Sequence, residues 1–209
     1  RGIVIDGGIS HRFSACDQLH FTMLLEPTSS VAVYLKKNII PENTGYFFLE
    51  DDLPDLFRDE YAEFLSCGSE DRYRSFINTV YRFFHIDSEY KAVYDDRIID
   101  LLRLLDQCDC SEHGLIHFAK KISLSASRLS HLFKQQTGIP LKGYLVLHKL
   151  EKAYTLLLNE KKPITEAAML AGFDSPSHLA YTSKALTGMT LSGVMKDSVF
   201  LKVSALQRV

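Results

Sequence analysis

Cys108, Cys110, His113 and His117 are four side chains of the kinds that ligate zinc and related borderline metals, gathered in one short stretch. Their spacing matches no compact zinc module, and they bracket the start of an apolar-periodic segment. A polar loop followed by core residues is the reading they support. A second group, His11, Cys16, Asp17 and His20, has the residue types of a nucleophile and its base, or of a metal cluster. Nothing in its order supplies the base and orienter that nucleophilic catalysis requires. Glycine-rich phosphate-loop patterns are absent from the sequence. The expectation is a protein without cofactor, metal or catalysis, whose work lies in recognition.

The charge distribution says where that recognition would sit. The formal net charge of -2 conceals a division. Residues 1–93 hold 9 Lys+Arg against 15 Asp+Glu, whereas residues 94–209 hold 15 against 11. An acidic half joined to a basic half fits a nucleic-acid-binding domain attached to a domain with another task. At 209 residues and 46% hydrophobic content the chain can bury two modest cores. It has no apolar run long enough to cross a membrane and no secretory pattern at its start. Cys16, Cys67, Cys108 and Cys110 lack framework spacing, so reduced thiols and a cytoplasmic address are expected. A chain opening on Arg1 rather than Met is expected to lack a start segment and to carry an incomplete N-terminal domain.

Local patterns predict the elements. Gly2 to Asp6 and Leu19 to Leu25 read as short antiparallel strands closed by Gly7-Gly8 and Glu26-Pro27. Ser29 to Lys37 reads as a short helix, Tyr46 to Leu49 as a brief strand or helix start, and Asp51, Asp52 and Asp55 around Pro54 as a loop. Between Asp71 and Ile86, Tyr73, Phe76, Ile77, Val80, Tyr81 and Phe84 recur at helical spacing. So aromatic a stripe requires a covering surface, either its own small domain or a second copy of the chain.

From Asp96 onward the pattern is helical throughout, starting with Ile98, Ile99, Leu102 and Leu105 on one side of a helix closed by polar residues from Asp106 to Glu112. Leu115 to Ile122 forms a short helix, and Ser125 caps a second one over Ala126 to Gln136 that stops at Thr137-Gly138. Pro140 starts a long helix to about Asn159 with Val146, Leu150, Ala153 and Leu157 as its buried stripe. Beyond Lys161-Lys162-Pro163 the arrangement returns. Ile164 to Ala171 is helical, Gly172-Phe173-Asp174 turns, and Ser175 with Pro176 opens the next helix.

That return is an internal repeat at an offset of fifty residues. Ser125 pairs with Ser175, Ser127 with Ser177, Leu129 with Leu179 and Lys134 with Lys184. Thr137 to Gly143 and Thr187 to Gly193 agree at four of seven positions. The offset slips by one in the preceding helices, where Ala119 aligns with Ala168, which puts an extra residue in the turn. Duplication of one structural unit explains this far better than chance. A joining helix of about 20 residues would span about 30 Å, close to the roughly 34 Å between successive major-groove faces.

These motifs resemble the AraC/XylS family of transcription regulators. The first family pattern is met by Phe118-Ala119, Ser125, Ser127, Leu129, Phe133-Lys134, Gly138, Tyr144-Leu145, Lys149-Leu150 and Ala153. The second is met by Ile164, Ala167-Ala168, Gly172-Phe173, Ser175, Ser177 and Leu179. The resemblance implies double-stranded DNA as partner, with base-edge contacts from Ser127, Ser130 and His131 and from Pro176, Ser177, Ala180 and Tyr181. It makes Arg128, Lys134 and Lys184 phosphate contacts. Leu129, Phe133, Leu150, Ala153 and Phe173 are expected in the core. Where the family usually has Arg, Phe and Pro, this chain has Tyr181, Ser183 and Leu191, which implies a second unit with a weaker hold on DNA.

The segments Gly7 to Phe13 and Leu25-Glu26-Pro27 are similar to the back end of the small cupin-like barrel that many such regulators use to sense a ligand and to pair. The expected architecture is α+β. A partial β-rich, cupin-like and helical domain over 1–93 would handle effector binding and dimerisation, the latter through Tyr73, Phe76, Ile77, Val80 and Phe84. An all-α domain over 94–200 would carry two helix-turn-helix units and a linker helix, followed by a tail over 201–209. The expected function is a sequence-specific regulator that acts as a homodimer under a small-molecule effector and meets RNA polymerase if it activates. The rival is a regulator that works through a protein partner.

Overall fold

The structure, a computed structural model, describes residues 2–12, 23–49, 55, 58–60, 62, 70–87, 89–107 and 114–197. They fall into two compact units that divide between Val93 and Tyr94. In the first unit, β1 (Gly2–Ile5) pairs antiparallel with β2 (Tyr46–Leu49), Val4 facing Phe47 and Ile3 facing Phe48. The period of two gives this ribbon an inner face, where Val4 and Leu49 pack on the helical core, and an outer face, where Ile3 and Phe48 are exposed. Two strands are too few to be stable alone. The helices supply the rest: α1 (Ser30–Asn38), capped by Ser29 whose Oγ accepts from the Ala32 N–H, and α2 (Glu70–Phe83).

Phe76, Val80 and Phe84 are buried with Val31, Leu35 and Ile86, and Ile77 packs half-buried at the margin. Phe76, Val80 and Phe84 of the stripe are thus covered by the chain itself, Ile77 and Tyr81 are half-buried, and the side chain of Tyr73 lies outside the described residues. The segment around Met23 to Leu25, expected in a strand, has no strand hydrogen bonding, while 19–22 lie outside the described residues. Among the described residues the only sheet is this two-stranded ribbon, so the barrel of the cupin-like expectation is not seen. The expected loop over 51–55, the histidine and cysteine groups at 16–20 and 108–113, and the tail fall wholly or mainly outside the described residues.

The second unit is helical: α3 (Asp96–Gln107), α4 (Leu115–Lys121), α5 (Ala126–Thr137), α6 (Leu141–Tyr154), α7 (Ile164–Leu170), α8 (Pro176–Thr187) and α9 (Leu191–Asp197). Asp95 starts α3. Its carbonyl accepts from the Ile98 and Ile99 N–H groups, and its carboxylate takes two bonds from the Arg97 guanidinium, which holds its pKa down at about 2. Its own N–H donates to Gln136 Oε1 of α5 at 3.1 Å.

The linker helix α6 departs from a single-stripe pattern. Leu141 and Tyr144 are buried at its start and Leu150, Ala153 and Tyr154 at its end, whereas Val146 is exposed. At about 100° per residue, Leu141 and Leu150 point to opposite sides of the helix. The first half packs on α5 and the second on α7 and α8, so the buried face changes sides along the helix. Val146 lies on the later face at the earlier level and therefore meets solvent. A π-helical turn, Thr155–Asn159, follows, with the Glu160 N–H donating to the Thr155 carbonyl. Leu156, Leu157 and Leu158, three consecutive residues of this turn, are all buried in the core of the second unit.

Candidate nucleic-acid interface

Each helix-turn-helix is built by the same local chemistry. The first turn closes with the Leu124 N–H donating to the Ala119 carbonyl and the second with the Phe173 N–H donating to the Ala168 carbonyl, both at 2.9 Å. One residue in each turn has positive φ, Ser123 at 58° and Gly172 at 83°. The additional residue of the second turn is Asp174, which projects into solvent and meets His178 Nδ1 at 3.1 Å. Ser125 Oγ then accepts from the Arg128 N–H and Ser175 Oγ from the His178 N–H, capping α5 and α8. Both helices end on a glycine in the left-handed region, Gly138 at φ 74° and Gly188 at φ 73°. Thr137 and Thr187 even make the same two bonds, to the carbonyl four residues back and from the N–H two residues on.

This scaffold decides which side chains face outward. On α5, Leu129, Leu132 and Phe133 are buried, while Ser127, Arg128, His131 and Lys134 are exposed. Ser130 is half-buried, and its hydroxyl donates to the Ala126 carbonyl at 2.8 Å, which leaves its lone pairs for an outside donor. On α8, Leu179, Thr182 and Ser183 are buried, and Ser177, Tyr181 and Lys184 are exposed, Tyr181 at 75%. Pro176 is half-buried at the first helical position, and Ala180 packs partly on the core. The residues singled out by sequence thus form one outward face per helix, with Ser130, Pro176 and Ala180 at its inner edge.

Ser183 has a different role from the one its departure from the family pattern implied. It is fully buried, so the serine in place of a phenylalanine changes the core and not the outward surface. Two further residues tie the linker helix to the second unit and were not singled out for it: Lys149, whose Nζ donates to the Gly172 carbonyl at 2.7 Å, and Tyr154, whose hydroxyl lies 2.8 Å from Ser183 Oγ. Both sit on a helix whose sequence pattern signalled only apolar packing. Among the described residues no group of His, Cys, Asp and Glu is placed to hold a metal. No helix among them is long and apolar enough to cross a membrane.

Two capped helix-turn-helix units joined by a shared helix define a class of DNA-reading protein. Residues 118–197 match the profile of a helix-turn-helix domain family. The arabinose operon regulatory protein of Escherichia coli K12 is 26% identical over 159 residues, which are 72% of this chain and 54% of that protein. The probable transcriptional regulator LumQ of Photobacterium leiognathi is 34% identical over 83 residues, 35% of this chain and 34% of that one. Among solved structures, the C-terminal domain of the response regulator yesN from Fusobacterium nucleatum aligns with a TM-score of 0.45 at 25% identity, covering 49% of this chain and all of that one. In its helix-turn-helix part the chain is similar to transcription regulators of the AraC type. It spans about half the length of the Escherichia coli relative.

Proposed function

We propose that the chain is a sequence-specific DNA-binding transcription regulator in which α5 and α8 read two adjacent major-groove segments. The carrying observation is the pair of serine-capped helices that turn equivalent faces outward, Ser127, Arg128, His131 and Lys134 on one and Ser177, Tyr181 and Lys184 on the other. Neither face carries Asn, and its one Arg lies at Arg128, so direct readout is soft and the shape of the duplex contributes to selection. The linker helix with its π turn, Leu141–Asn159, is about 28 Å long, which suits successive groove faces.

The first unit acts as the regulatory part, working in the cytoplasm under a small-molecule effector and in a homodimer; an activator of this kind would contact RNA polymerase. An open hollow lined by Ser75, Asn78, Tyr81, Arg82 and Ile86 offers hydrogen-bonding groups for a polar effector. A second reading, regulation through a protein partner, is favoured by one observation. From Ile164 to Met189 the second unit has a single cation, Lys184, against Glu166 and Asp174. Capture of sheared host DNA across a salt series decides between them. Retention of a few sites with a steep salt dependence supports DNA reading; retention of nothing by the folded chain moves the partner reading to first place.

A further inference from the structure

At the fifty-residue offset, Phe133 and Tyr144 of the first unit correspond to Ser183 and Val194 of the second. Phe133 is fully buried with its ring centroid 4.9 Å from that of Tyr144, so α5 is fastened to the helix after it by an aromatic pair. Ser183 is equally buried but has no ring to offer. Here the contact comes from the linker helix α6. Tyr154, buried on α6, places its hydroxyl 2.8 Å from Ser183 Oγ and 3.3 Å from Thr187 Oγ1. Ser183 Oγ donates its proton to the Met189 carbonyl at 2.9 Å, which makes the tyrosine the donor to Ser183.

We propose that Tyr154 is the positioning residue of the second DNA-reading helix: its hydroxyl, acting through Ser183, fixes the rotation in which α8 presents Ser177, Tyr181 and Lys184. The inference rests on the DNA-reading proposal above. Ser183 and Tyr181 are two residues apart, about 200° around the helix, so fastening one inward holds the other outward. An aromatic pair tolerates several offsets, whereas a hydroxyl pair is directional and short. The second unit therefore has its reading helix set by hydrogen-bond geometry from the linker, and the first by ring packing.

The test uses the full chain with Tyr154→Phe, which keeps the ring and removes the hydroxyl, and reads amide exchange together with base preference along a captured site. Exchange in α8 is expected to rise about fivefold with α5 unchanged, the scale of one lost buried hydrogen bond. Base preference at the second segment relaxes while that at the first is kept, and Tyr154→Phe with Ser183→Ala is less harmful than the two single effects combined. Should Tyr154→Phe fail to fold, Ser183→Ala breaks the same contact from the other side and is read in the same way. Unchanged α8 exchange, or equal acceleration of α5 and α8, overturns the positioning role. If the unaltered chain retains no DNA, the DNA-reading proposal fails, and the exchange comparison still decides what holds α8.

Discussion

The two helix-turn-helix units share a backbone plan and differ in what they do with it. Between Leu115 and Ile139 the first carries Lys120, Lys121, Arg128 and Lys134 and no acidic residue. The second, between Ile164 and Met189, carries Lys184 with Glu166 and Asp174, and the positions that align with Lys120 and Lys121 are Met169 and Leu170, both exposed. Caps, glycine stops and threonine bonds are kept because they set the helix boundaries, whereas surface charge is free to diverge. If the proposed DNA reading holds, phosphate attraction, the sequence-independent part of DNA affinity, would be concentrated in the first unit. The second is left to contribute through the pose of its helix and the side chain of Tyr181.

The largest effect that separates the units is expected in their cores. Phe133→Ala opens a cavity beneath α5 and costs about 3–5 kcal/mol, while Ser183→Ala costs about 1 kcal/mol, as measured by urea unfolding. Similar costs at both positions would mean that the two cores are not built differently. On the outward faces, Ser127→Asp or His131→Glu is expected to lower specific DNA binding about a hundredfold with the helical signal intact, because an anion then faces phosphates and base edges. Asp in the first turn of α5 suits the helix dipole, so loss of fold is not the cause. Ser177→Asp should cost less, about tenfold, since less of the affinity resides there; equal losses in a filter-binding titration would erase the asymmetry. The smallest effect lies in the turns: Ser123→Gly relieves a left-handed residue and stabilises by about 1 kcal/mol, and Gly172→Ser destabilises by a similar amount. Thermal midpoints moving in the same direction for both would contradict the equivalence of the turns.

Much of this was legible in the sequence for physical reasons that can be named. Ser125 and Ser175 announce helix starts because a hydroxyl there satisfies a free N–H, and Gly138 and Gly188 announce stops because the backbone takes positive φ. The repeat then placed the outward faces. Three features escaped that kind of reading. Val146 fits the apolar period of α6 but sits where the buried face changes sides, a tertiary fact. The π turn is outside any fixed 3.6-residue template, although the run Leu156-Leu157-Leu158 marks the place. Tyr154 and Ser183 are distant in sequence, and their hydrogen bond is a property of packing alone.

Hydroxyl-radical footprinting of the captured site over a salt series tests the central claim most directly. The account predicts two protected segments on one side of the duplex, about 10 base pairs apart, with the segment under α8 the more weakly protected and the salt dependence set by the cations under α5. A single protected segment, or stronger protection under α8, would contradict it.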